Sequence, residues 1–195
     1  MKIETKVLEN RFVRLEPMGE QHREDLREAC NADQAIWTEL YPFSWAGEHF
    51  DPTWATLTAH IADGSTVGFA VMVEGRCVGL TCFSLMDSAN GVTEIGGTYY
   101  RPDLRGGPVN PAAKRLMMGH AFDCGARRAV YRVDAINLRS RAAVLKLGAV
   151  EEALLRQDRI TWTGRIRDTV IFSILDNEWP AIRDRLDARL TAFAP

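Results

Sequence analysis

Residues 137–149 read Asn-Leu-Arg-Ser-Arg-Ala-Ala-Val-Leu-Lys-Leu-Gly-Ala. They follow Val130 to Ile136, an alternating run rich in Val, Tyr and Ile that predicts a β-strand. Asn137 is a strong helix N-cap and Gly148 a strong helix stop, so a short helix is expected over Arg139 to Leu147. A side-chain amide at a strand end can also grip a ligand amide, through donor and acceptor together. Capping alone accounts for Asn137 equally well, and both readings stand at this point.

Working outward, Asn110-Pro111 reads as cap and first turn of another helix. Ala113, Leu116, Met117 and Ala121 follow at helical spacing, and Gly125 ends the run. Upstream, Val92 to Tyr100 is a strand, preceded by Val67 to Glu74 and Cys77 to Leu85 about a tight turn at Gly75-Arg76. Asp51-Pro52 reads as cap and first turn of a helix reaching Asp63, closed by Gly64. Gln21 to Cys30 is a helix, and Phe12 to Leu15 a short strand halted by Pro17. Downstream, strands at about Glu151 to Trp162 and Arg167 to Leu175 turn at Thr163-Gly164. A last helix starts near Asn177 and carries Trp179, Ile182, Leu186 and Leu190. This order predicts a mixed α+β sandwich of sheet and helices.

The chain has 195 residues, the length of one domain, taken here as 1–195. With 46% hydrophobic and 26% charged residues it is globular rather than disordered. A net charge of −2 gives no electrostatic footprint for nucleic acid. No apolar run approaches the roughly 20 residues of a membrane span, and Met1 to Asn10 lacks the apolar core of a signal peptide. Cys30, Cys77, Cys82 and Cys124 show no CxxC spacing and read as buried thiols of a reducing cytoplasm. The four histidines fall in no ligand pattern, so no metal is expected.

Three features can carry chemistry. Gly96-Gly97 interrupts a strand, which marks a bulge or a close ligand as readily as tight packing. Arg101 to Asn110 joins that strand to a helix start. There, glycines let the backbone curl, unpaired N–H groups favour an anion, and Arg101 and Arg105 add positive charge. An ordinary strand-to-helix turn explains that loop as well, since it is neither a P-loop nor GxGxxG. The third feature is Asn137 with its helix.

Together these residues resemble the GNAT superfamily of acetyl-CoA-dependent N-acetyltransferases, and within it the Rim-type ribosomal-protein N-terminal branch. The similarity spans about Arg11 to Leu190. It is carried by Asn137 to Ala149, by Gly164-Arg-Ile-Arg167-Asp168-Thr-Val with Glu178-Trp179-Pro180, and by Glu94-Ile-Gly-Gly-Thr-Tyr-Tyr-Arg-Pro102. The resemblance implies a mostly antiparallel central sheet, splayed between two neighbouring strands and flanked by helices. Acetyl-CoA would lie in that V. Its pantetheine arm would bond near Tyr99, Tyr100 and Arg101, and Asn137 would bond the same arm. A bulge N–H at Gly97 would polarise the thioester carbonyl. The pyrophosphate would sit on Arg105, Gly106, Gly107, Val109 and Asn110. Tyr41, Trp45 and His49, from the aromatic-rich segment Trp37 to Trp54, would wall the acceptor pocket.

Two positions depart from the family pattern. Pro108 stands where a second glycine is usual and has no N–H, with Asp103 in the leading basic place. Val144 replaces the tyrosine that often protonates the leaving thiolate, which leaves Ser140 as the nearby hydroxyl. Amine attack needs a neutral nitrogen. At pH 7 that costs roughly 4–5 kcal/mol for a lysine side chain and only about 1 kcal/mol for an α-amine. Glu94 is the candidate base, with a structural carboxylate as the competing reading. The expected acceptor is a primary amine, first a protein N-terminal α-amine. A small-molecule amine is the alternative, and a non-catalytic acyl-CoA-binding module a further one. A homodimer fits the family.

Overall fold

The computed structural model describes residues 1–193, so the last two positions of the expected 1–195 domain lie outside it. One eight-stranded sheet runs through these residues in the order β1-β2-β3-β4-β5-β6-β8-β7. The strands are β1 (Leu8–Glu9), β2 (Arg14–Pro17), β3 (Val67–Val73), β4 (Arg76–Asp87), β5 (Val92–Tyr100), β6 (Arg128–Asp134), β7 (Val150–Ile160) and β8 (Ile166–Leu175). Every neighbouring pair is antiparallel except β5 and β6. That parallel pair needs a crossover, and α4 (Val109–Asp123) supplies it. The other helices are α1 (Arg23–Asn31), α2 (Ala35–Glu39), α3 (Phe50–Ala62), α5 (Leu138–Leu147) and α6 (Trp179–Thr191).

The sheet separates two cores. One joins Phe69, Phe83, Ile95, Phe172 and Ile174 to α4, α5 and α6 through Met117, Leu147 and Ile182. The other joins Ala70, Leu80, Cys82 and Tyr99 to α1, α2 and α3 through Leu26, Trp37 and Phe50. In the second core the polar tips of two buried aromatics are satisfied, with Trp37 Nε1 donating to Cys30 O at 2.9 Å and Tyr99 OH to Ala29 O at 2.7 Å.

Several boundaries differ from the sequence expectation. The hairpin turn between β3 and β4 is Glu74-Gly75, not Gly75-Arg76. Both turn residues have positive φ, 50° and 79°, the conformation that matches the strand twist, and Arg76 already belongs to β4. Asp51 does not cap α3, because helical backbone begins before it and His49 takes the cap position. Asp51 instead accepts from Arg23 and Arg27, each at 2.7 Å, and ties α3 to α1. Asn110 does not cap α4 either. Pro108 holds the cap position and Asn110 sits inside the first turn. The strand expected at Phe12 to Leu15 starts at Arg14 and includes Pro17, at the sheet edge side where a missing N–H costs least. The shortest strand, β1, and the shortest α-helix, α2, carry no sequence signal. No helix among the described residues is long and apolar enough to cross a membrane.

Candidate active site

The parallel pairing of β5 with β6 lasts three residues, Val92↔Arg128, Thr93↔Ala129 and Glu94↔Val130. Beyond it β5 stays on β4 and β6 stays on β8, so the two strands part. From Ile95 to Tyr100 the β6-facing edge of β5 has no strand against it among the described residues. A bulge lies at the point of divergence. Cys82 pairs with Gly96 and Leu80 with Tyr99, so Gly97 and Thr98 share the single opposite residue Thr81. Gly97 has φ +57°, which a glycine adopts without penalty.

A cavity of about 320 Å³ fills the opening. The structure brings to it Glu94, Gly97, Tyr99, Tyr100, Arg105, Gly106, Asn110, Asn137, Ser140 and Tyr41 among the residues singled out from sequence. Arg101, Gly107, Val109, Trp45 and His49 do not line it. Trp45 is buried edge-on against Phe50 in the second core, and His49 packs on Trp162 at 4.6 Å. Arg101 is held by Asp103 at 3.1 Å. Arg105 is likewise committed, donating to Tyr100 O and pairing with Asp33. It braces the loop, yet its Nη2 is buried without a hydrogen-bond partner among the described residues.

The cavity and the turn that adjoins it at Gly106 and Asn110 have the donors that a diphosphate-bearing ligand with an amide arm needs. Gly106 has φ +84° and turns the chain into α4. Among the described residues the N–H groups of Gly106, Gly107, Val109 and Asn110 find no backbone acceptor, and the first helical bond is Ala112 N to Pro108 O. With Pro108 at the cap, its missing N–H leaves the donors of Val109 and Asn110 intact. The hydroxyls of Tyr100 and Tyr131 are buried with no hydrogen-bond partner among the described residues, and both residues line the cavity. Buried polar atoms are seldom left unpaired, so these two point to a bound partner. Asn137 does cap α5, accepting from Ser140 N at 3.0 Å, which leaves its amide nitrogen free to donate.

Glu94 is half-buried at the closed end of the V, and desolvation there pushes its carboxyl above the usual range. The positive charges of Arg132, Arg159, Arg167 and Lys114 partly offset that rise. A Cβ at Gly96 would collide with Glu94 Oε1, so the glycine makes room for the carboxylate. Lys114 went unnoticed in the sequence. It lies on the buried face of α4, donates to Thr98 Oγ1 at 2.6 Å and to Thr81 Oγ1 at 3.3 Å, and burial pulls its pKa down to about 7. The signal was available, because a lone lysine sits among Ala112, Ala113, Met117 and Met118. Tyr131, Arg132, Asp134 and Arg167 were missed as well. They become neighbours of Glu94 only once β6 and β8 take their places in the sheet.

Lys114 makes a prediction about stability. Between its folded pKa near 7 and its ordinary value of 10.5, the unfolded chain holds a proton that the folded chain has lost. Stability therefore rises with pH across that window and falls again as pH returns through 7. Relative to Lys114→Met, the native chain should gain about 2 kcal/mol from pH 7 to pH 9. Urea denaturation at the two pH values measures it, and equal gains in both proteins would refute it.

Opposite the loop side, the tip of the β7–β8 hairpin is bonded to α2 and the segment after it. Trp162 N donates to Pro42 O at 3.1 Å, Trp162 Nε1 to Trp37 O at 2.9 Å, and Arg165 to Glu39 O at 3.3 Å. Tyr41 anchors the same segment to β5 through a 2.6 Å bond from its hydroxyl to Thr98 O.

Comparison with known proteins places this geometry. The profile of the acetyltransferase (GNAT) domain family matches residues 13–150. No curated protein matches the chain. Among solved structures, a GCN5-related N-acetyltransferase from Brucella melitensis is similar at 32% identity and a TM-score of 0.89, covering 100% of this chain and 88% of its own. Mycobacterium smegmatis RimJ in complex with CoA-disulfide shares the fold at 24% identity and a TM-score of 0.78, over 91% and 88% of the two chains. The microcin C7 self-immunity acetyltransferase MccE, in complex with acetyl-CoA and AMP, shares it at 19% identity and a TM-score of 0.75, over 85% and 93%.

Proposed function

Because the chain belongs to the GNAT acetyltransferase family, we propose that it moves an acetyl group directly from acetyl-CoA to a primary α-amine. The observation that carries this reading is the parting of β5 from β6 beside a half-buried Glu94 whose carboxylate has no partner among the described residues. When bound, acetyl-CoA supplies the acyl group as a thioester. The free edge of β5 and the amide of Asn137 hold its arm, and the donors of Gly106, Gly107, Val109 and Asn110 hold its diphosphate. Glu94 accepts the proton that the amine nitrogen gives up as the C–N bond forms. The bulge N–H at Gly97 takes the charge gathering on the carbonyl oxygen. Ser140, whose hydroxyl has no partner among the described residues, gives a proton to the departing sulfur as the C–S bond breaks.

A carboxylate suits an α-amine, whose deprotonation at pH 7 costs only about 1 kcal/mol. The main-chain bridge from Trp162 to Pro42 favours a compact amine over a polypeptide terminus. The Rim-type resemblance favours the terminus, and one experiment separates them. Free-thiol release from acetyl-CoA is followed with small α-amines, short peptides and no acceptor. Release with small amines at the higher kcat/KM supports the compact acceptor, and release with peptides alone supports the terminus. Tight acetyl-CoA binding with no release on any amine would assign a non-catalytic role. The free cysteines, three of them buried, support a reducing, cytoplasmic setting.

A further inference from the structure

Four guanidiniums beside the cavity share two carboxylates. Asp158 is saturated by Arg132, at 2.8 and 2.9 Å, and by the Thr169 hydroxyl at 2.8 Å. Asp134 pairs with Arg165 and accepts from Ile136 N. What remains is under-compensated. Arg167 is only 6% exposed, yet its hydrogen bonds go to neutral oxygens, Thr169 Oγ1 at 3.0 Å and Arg132 O at 3.5 Å. Its distance to Asp134 is 3.8 Å, and among the described residues its Nη1 has no partner. Arg159 reaches Asp158 only at 3.9 Å and makes no hydrogen bond among the described residues.

These two arginines also face one another. Arg159 and Arg167 are directly opposed in the β7–β8 register, on the side of the sheet that carries Glu94 and Arg132. Like charges directly opposite each other destabilise a strand pair, and Arg167 lines the cavity with a guanidinium nitrogen that no group among the described residues engages. An anion between them answers both. Glu94 is not that anion, since it forms no ion pair with either arginine among the described residues. Both arginines and Glu94 line one cavity.

We propose that the acceptor is a short aminocarboxylate whose carboxylate is held by Arg167 and Arg159 while its amine faces Glu94. This rests on the reading of the site as an N-acetyltransferase and names the substrate class. A planar carboxylate matches the guanidinium fork, and anchoring it fixes the amine at the end of the V where acyl transfer takes place. A free amino acid and the acidic first residue of a peptide present the same chemistry.

The test compares three acceptors by thiol release: an α-amino acid, its carboxamide, and a dipeptide amide that begins with aspartate. Wild type should prefer a carboxylate-bearing acceptor over the carboxamide by about tenfold to a hundredfold in kcat/KM, the range of a charge-assisted hydrogen bond. The better of the amino acid and the dipeptide identifies the source. Arg159→Ala, at a half-exposed position, should shrink the preference to a few-fold, and Arg167→Met should abolish it. Arg167→Lys keeps the charge and loses the fork, so it should fall between them. Calorimetry of the same acceptors against the protein saturated with CoA reads the preference without turnover. A carboxamide used as well as the amino acid, or a preference that survives both arginine changes, overturns the proposal and leaves acetyl transfer intact. Selective aminocarboxylate binding without thiol release upholds the anion site and overturns the catalytic reading instead.

Discussion

Glu94→Gln should lower kcat by about 10²–10⁴-fold, the usual worth of a positioned general base, while acetyl-CoA affinity stays as it was. Glutamine keeps the shape and burial of the side chain and removes only its ability to take a proton. The pH profile gives a second signature. Burial raises the Glu94 carboxyl above its ordinary range, and the base form exists only above that raised value. Activity should therefore climb with pH through a limb lying above the usual carboxylate range, and Glu94→Gln should erase that limb. Turnover unchanged in the variant would return Glu94 to a structural role.

Gly97→Val should cost both catalysis and stability. At φ +57° a β-branched side chain carries a penalty of roughly 1–2 kcal/mol. A Cβ there meets Cys82 Sγ at an ordinary 3.5 Å, so the conformation rather than that contact sets the cost. A bulge that relaxes to relieve the strain moves its N–H away from the place proposed for the thioester carbonyl oxygen. Loss of one such donor lowers kcat by about 10²–10³-fold. Kinetics and urea denaturation together measure the two effects. A destabilised variant with native kcat would remove Gly97 from the reaction.

The parts of this molecule that the sequence made legible are those set by local chemistry. The limits of β5, Val92 to Tyr100, are the expected ones. So are the Asn137 cap and the Gly148 stop of α5, where Gly148 takes φ +103°. The diglycine at 96–97 proves to be a bulge because only glycine adopts such a φ cheaply. Capping residues misled where backbone geometry had already settled the helix start. Asn110 and Asp51 both follow segments that are helical before them. Aromatic spacing could not separate wall from core, so Tyr41 reaches the cavity while Trp45 packs inside. Arg132, Arg159 and Arg167 read as ordinary alternating charges. Only the β6-β8-β7 pairing order puts them on one face, near Glu94, and pairing order is a long-range property that local pattern does not encode.

Every step proposed for this protein requires acetyl-CoA in the gap between β5 and β6. A crystal structure of the protein soaked with CoA decides whether it lies there. The arm should run along Ile95 to Tyr100, with the diphosphate on the N–H groups from Gly106 to Asn110 and the Tyr100 and Tyr131 hydroxyls no longer unpaired. CoA bound elsewhere on the surface, with those strands parted and that turn empty, would contradict it.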